Sequence, residues 1–318
     1  MNKTYHACKK LVTNTSIYDG YVKTVEKYSS ELISSLNSAS SIHDTIHMLS
    51  WISNASINKC IADYINTGTV DAEEVVVAWS YAIEKVLLRE VMLYQHAKNY
   101  HNFDAFCDDY SYEMTSEFLS DCWSIAGLSA LDCQPIVDGI GTALNVIEMR
   151  GDVERVDDSP SFDFQFCLMR FLLSSSAGQE QAGLELSEYA PFSFLTDALR
   201  DNDVAVDGIL DLVGWHMDQC SKSLRGDDYQ YPLQPYSVIP TWIYACLKRV
   251  VSFGDNSERF TGSLLLNDMA KFYVALSDVN VPDSVNGLRS TLLELYPRDM
   301  LEIESFWSEF LRKEMHKR

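Results

Sequence analysis

The sequence predicts an all-α fold, with about a dozen helices packed mostly as antiparallel pairs in a non-repetitive bundle. Three observations lead there. Apolar residues recur at three- and four-residue steps along nearly the whole chain. No stretch keeps the apolar–polar alternation of a half-buried strand for long enough to build a sheet. Glycine (14) and proline (8) are sparse for 318 residues, which suits long helices and argues against a turn-rich β fold. The 17 Tyr, 14 Phe and 6 Trp supply ample large side chains for a core.

The elements follow in order. Ile17-Tyr18, Tyr21-Val22, Val25, Tyr28, Leu32-Ile33 and Leu36 make the first helical stripe. Ile42, Ile46, Leu49, Ile52, Ile57, Ile61 and Tyr64-Ile65 make the second, broken at Asn66-Thr67-Gly68-Thr69. Asp71-Ala72-Glu73-Glu74 opens a third helix with acids that suit its N-terminal dipole. It runs to about Tyr100, with Val75, Ala78-Trp79, Ala82-Ile83, Val86-Leu87 and Met92-Leu93 on its buried side. Further helices are predicted at Phe103–Leu128 and from Pro135 toward Met149. After the polar loop Gly151–Pro160 come Phe162–Leu173, Glu180–Tyr189, Phe192–Leu199 and Val204–Leu224. A second loop, Arg225–Pro235, precedes Tyr236–Val251, Gly262–Leu276, Val285–Tyr296 and Arg298–Met315. Gly151–Pro160 divides the chain into an N-terminal helical subdomain, 1–150, and a C-terminal one, 161–318, unless the two form one continuous domain.

No segment approaches the ~18–20 apolar residues of a membrane span. Met1–Lys10 carries positive charge but no apolar run follows it, so no secretory signal is read. The eight cysteines (8, 60, 107, 122, 133, 167, 220 and 246) are dispersed, with no Cys-x-x-Cys pair. They read as reduced, buried thiols, and the expected location is the cytoplasm.

Charge is unevenly distributed. The formal total is −21, and residues 100–230 hold 25 acidic against 6 basic residues. Asp109, Glu113, Glu117 and Asp121 are spaced by four, with Asp108 beside them, and no Lys or Arg lies between Asp104 and Glu148. Asp203, Asp207 and Asp211 repeat the spacing. Carboxylates four apart share one helix face and repel by about 0.2–0.5 kcal/mol per pair. A face that keeps such repulsion is expected to meet something basic. Asp227, Asp228, Tyr229 and Tyr231 lie together in the second loop, where tyrosines can anchor an interface.

Other chemistry finds less support. Asp108-Asp109-Tyr110-Ser111-Tyr112-Glu113 resembles the aspartate-rich motif of the Mg²⁺-dependent all-α terpene synthases. The second metal motif of that family fails here, because Phe272 and Leu276 follow Asn267-Asp268 where Ser/Thr and Glu are required. His43 and His47 have zinc-ligand spacing without a third ligand. There is no phosphate loop, nucleophile elbow or Cys–His signature, and the basic residues are scattered. No catalytic residue, metal, cofactor or direct nucleic-acid contact is expected.

Residues 189–254 carry a resemblance. Pro191-Phe192-Ser193-Phe194-Leu195-Thr196-Asp197-Ala198-Leu199-Arg200-Asp201-Asn202-Asp203 is followed by a long helix, a polar loop, Pro235 and the apolar Ile239-Pro240-Thr241-Trp242-Ile243-Tyr244-Ala245-Cys246-Leu247. This succession resembles the bacterial immunity proteins called Imm49, over about a fifth of the chain. The resemblance implies a non-enzymatic, all-α protein that binds and neutralises a cognate antibacterial toxin. A nuclease-type toxin has a basic cleft, which the acidic residues would meet. The alternative is a helical scaffold or adaptor for another basic partner.

Overall fold

The structure, a computed structural model, describes residues 2–37, 41–110, 139–151, 160–173, 183, 185–189, 192–198, 202–226, 238–240, 243, 245–247, 263–274 and 280–315. Every regular element among them is helical, so the all-α fold holds. The helices are α1 (Asn2–Val12), α2 (Thr15–Asn37), α3 (Ile42–Thr67), α4 (Ala72–Ala97), α5 (Ile140–Arg150), α6 (Pro160–Leu173), α7 (Leu195–Ala198), α8 (Asn202–Arg225), α9 (Leu264–Val274), α10 (Asp283–Leu295) and α11 (Met300–Met315). Residues 103–110 are helical as well. No helix among the described residues is long and apolar enough to cross a membrane.

Local signals set the boundaries. The Ser41 hydroxyl accepts from Asp44 N–H at 3.2 Å and the Asp71 carboxylate from Glu74 N–H at 3.0 Å, so α3 and α4 are each N-capped by a side chain. Gly68 ends α3 at φ 73°, its N–H donating to Tyr64 O at 2.7 Å. That left-handed turn is open to glycine at little cost.

α2, α3 and α4 pack side by side, with α3 in the middle. On the α3–α4 face, His43 meets His96 (ring centroids 5.6 Å), Ser50 meets Lys85 (3.2 Å) and Lys59 meets Glu74 (2.6 Å). Partner numbers fall as α3 numbers rise, which makes the pair antiparallel. On the α2–α3 face Tyr28 stacks on Trp51 at 5.7 Å and Tyr18 donates to Asp63 at 2.6 Å, again antiparallel.

Two buried clusters fill the interior. The first joins Tyr5, Cys8 and Val12 of α1, the ends of α3 and α4 that meet there, and Ile209, Leu212, Met269 and Phe272 of α8 and α9. It thus draws on residues both before and after positions 151–160. The second gathers Leu49, Ile52, Leu88, Met92, Phe103, Phe106 and Trp307. α4 runs through both, and every residue from Ala82 to Leu93 is buried.

Two features differ from the sequence reading. Asn2–Val12 is a helix that no expectation covered, with Tyr5, Cys8 and Val12 as its buried stripe. From Ala82 to Leu93 α4 is buried on all sides, although the periodicity predicted one buried side. It therefore encloses Glu84, Lys85, Arg89 and Glu90, none more than 3% exposed. Enclosed charges require partners. Arg150 of α5 grips Glu90 through two guanidinium nitrogens, at 2.6 and 3.4 Å. Arg298 and Arg289 reach Glu84 at 2.6 and 3.5 Å. Lys85 donates to Ser50.

Cys8, Cys60, Cys107, Cys167, Cys220 and Cys246 stand outside any disulfide, and all but the half-buried Cys167 are buried. Cys122 and Cys133 lie outside the described residues.

Candidate functional site

The acidic region is the first candidate. Every aspartate between 100 and 230 whose side chain is described is exposed. Asp203, Asp207 and Asp211 stand at successive turns of α8, while Ala205, Val206, Ile209 and Leu212 of the same helix enter the first buried cluster. The spacing thus places three carboxylates on the solvent side of one amphipathic helix. Gly208 lies between them on the buried face. A Cβ there would overlap Cγ of Phe194, so glycine lets that ring lie directly on the helix.

Asp108 and Asp109 are exposed on the helical segment 103–110, anchored by Phe103, Phe106 and Cys107 in the second cluster. Asp109 accepts a 2.6 Å hydrogen bond from the Tyr100 hydroxyl. That bond to a carboxylate is the main reason the Tyr100 hydroxyl is pushed up to about 12. The two aspartate groups are rooted in different clusters. Glu113, Glu117, Asp121, Asp227, Asp228, Tyr229 and Tyr231 lie outside the described residues.

Internal pairing sharpens the acidic surface. Arg150 is one of only 6 basic residues between 100 and 230. Its side chain is fully enclosed against Glu90. Arg170 is shared between Glu148 (3.0 Å) and Glu185 (3.2 Å).

The residues weighed for metal chemistry have other work. Asp268 takes a 2.7 Å hydrogen bond from the Tyr5 hydroxyl and an ion pair from Lys9 at 2.5 Å. Phe272 is buried against Tyr64 and Trp79. His47 Nε2 accepts from Trp51 Nε1 at 3.1 Å. Among the described residues, no group of three or more His, Cys, Asp or Glu side chains could hold a metal ion. Burial pushes the Cys60 thiol well above its ordinary range, which keeps it protonated and inert.

A second surface escaped the sequence reading. Trp51 is 48% exposed, stacked nearly parallel (7°) on Tyr28, with His47 edge-on at 6.1 Å. The signal was available, since Trp51 falls off the apolar stripe Ile46–Leu49–Ile52. A scan against protein-family models finds no match to the chain, and searches of curated proteins and of solved structures find none either.

Proposed function

We propose that this chain is a binding protein that neutralises a basic protein toxin, an immunity protein rather than an enzyme. The observation that supports it most is the exposed carboxylate ladder Asp203–Asp207–Asp211, in a region with 25 acidic and 6 basic residues. Such a ladder costs folding stability through like-charge repulsion. Its worth lies in steering a cationic partner. Complementary potentials raise association rates far above the neutral range, and the gain falls steeply with salt. Asp108 and Asp109 add exposed carboxylates on a segment rooted in the other buried cluster.

In this reading the toxin is a nuclease-type domain whose phosphate-binding cleft is basic. The chain occupies that cleft, or the rim beside it, with carboxylates standing where phosphates would. The likeness of residues 189–254 to the Imm49 immunity proteins points the same way.

The test is co-expression with the protein encoded next to this chain, scored by survival and by co-purification. The expected result is that the neighbour kills alone, is rescued by this chain, and co-purifies in a salt-sensitive complex. A harmless neighbour that does not co-purify sinks the reading.

A further inference from the structure

We propose that α10 is a strap that opens on its own while the rest of the fold stays closed, uncovering the strip of α4 around Glu84. The opening does not depend on what the acidic surface binds.

α10 lies across the joint between the two buried clusters. It packs on α2 and α4. Val285, near its start, enters the first cluster, and Leu292, near its end, enters the second. The thirteen-residue helix buries no other side chain fully. The shorter α5 buries Ile140, Ala143, Leu144, Val146, Ile147 and Arg150. An element with so few buried apolar contacts opens at a small fraction of the global unfolding free energy.

The sequence also makes this helix weak once it is undocked. Asp283, Ser284, Asn286, Gly287, Ser290 and Thr291 are all poorer helix formers than Ala, Leu or Glu, and glycine is the poorest of them. Pro282 stands at the N-cap, where it has no side-chain oxygen to offer the first N–H groups. α3 and α4 have theirs from Ser41 and Asp71. A helix of this length is marginal in water without docking, so undocking and unwinding go together.

The ion pairs let α10 leave without stranding a charge. Glu84 is enclosed and requires a partner throughout. Arg298, beyond the end of α10, holds it at 2.6 Å, while Arg289 of α10 reaches it only at 3.5 Å. Opening gives up the longer contact and keeps the shorter. The far boundary is built in as well. The Tyr296 and Thr45 hydroxyls meet at 3.1 Å just past the helix. α11 then starts afresh, with the Asp299 carboxylate accepting from Leu301 and Glu302 N–H at 3.0 and 3.1 Å, and with Ile303 and Trp307 buried. The opening unit thus ends between Tyr296 and Asp299.

The experiment is native-state hydrogen exchange read by mass spectrometry on the full chain, comparing the Asp283–Leu295 amides with those of residues 82–93 in α4. Where reclosing outruns exchange, the rate reports the opening equilibrium. The α10 amides are expected to exchange at least about 100-fold faster than those of α4. Two variants test the cause. A Cβ at Gly287 meets nothing within 4 Å, so Gly287→Ala acts through helix propensity and should slow α10 exchange about fivefold. Arg289→Gln removes the contact to Glu84 and should quicken it about threefold. Both should leave residues 82–93 unchanged. Protection of α10 equal to that of α4 overturns the proposal. So do variants that shift both segments by the same factor, because α10 then opens only with the whole chain. So does a pair of variants that leaves α10 exchange unaltered.

Discussion

Replacing Arg150 by Met tests the enclosed charges of α4. Glu90 and Arg150 are both 0% exposed at the side chain and meet at 2.6 Å. Removing one partner of such a pair leaves an uncompensated buried charge, at a cost of about 3–5 kcal/mol. Two local terms adjust that range. Arg89 Nε stays 3.6 Å from Glu90 Oε1 and offsets part of the loss. The Arg150 guanidinium also sits 5.1 Å from the Trp307 ring centroid, and losing that contact adds about 1–2 kcal/mol. The expected net cost is about 4 kcal/mol, close to a thousandfold fall in the folded-to-unfolded ratio. Urea unfolding followed by circular dichroism measures it. The Glu90→Gln/Arg150→Met double variant should recover at least about 1 kcal/mol relative to additivity, since no unpaired carboxylate remains. A single-variant cost below about 1 kcal/mol with no coupling would refute the claim that these charges depend on each other.

Four further outcomes are expected. Asp207→Asn removes two like-charge contacts on α8 and should raise stability by about 0.4–1 kcal/mol while slowing association with the proposed basic toxin, measured by melting and by stopped flow at two salt concentrations. Gly208→Ala should destabilise by about 1–3 kcal/mol through the overlap with Phe194, and Phe194→Ala in the same chain should relieve part of it in urea titrations. Asp71→Ala should cost about 1 kcal/mol through loss of the α4 cap, read as a lower thermal midpoint. Burial, then the hydrogen bond to Asp268, raises the Tyr5 hydroxyl far above its ordinary value of 10.0. A raised folded pKa gives stability that is present below pH 10 and lost above it. Tyr5 alone should therefore cost about 1.4 kcal/mol per pH unit there, with its phenolate absorbance appearing only on unfolding.

Much of the fold was legible because its signals are local. Asp71 announces α4 through its spacing to Glu74, and Gly68 ends α3 where a left-handed residue is needed. Asp203, Asp207 and Asp211 share an exposed face as their four-residue spacing implies. α1 was illegible because three spaced residues, Tyr5, Cys8 and Val12, make too faint a stripe among polar neighbours. The enclosure of Glu84 and Glu90 was hidden for another reason. Their partners Arg298 and Arg150 lie far along the chain, and single-helix periodicity treats a charge as a solvent marker. Trp51 was passed over because large aromatics read as core by default.

The contact between Lys9 and Asp268 spans 259 residues, and the Tyr5 hydroxyl uses the same carboxylate. On a ribosome adding about 5–20 residues per second, Asp268 follows Lys9 by roughly 10–50 s. Throughout that interval the apolar stripe of α1 has no α9 to dock on. α1 thus lacks part of its seat until α9 is made, and the nascent chain carries a partly uncovered amphipathic helix that a holdase has time to shield. Slowing translation in the second half should lengthen this window and raise aggregation before any change in the native state is felt.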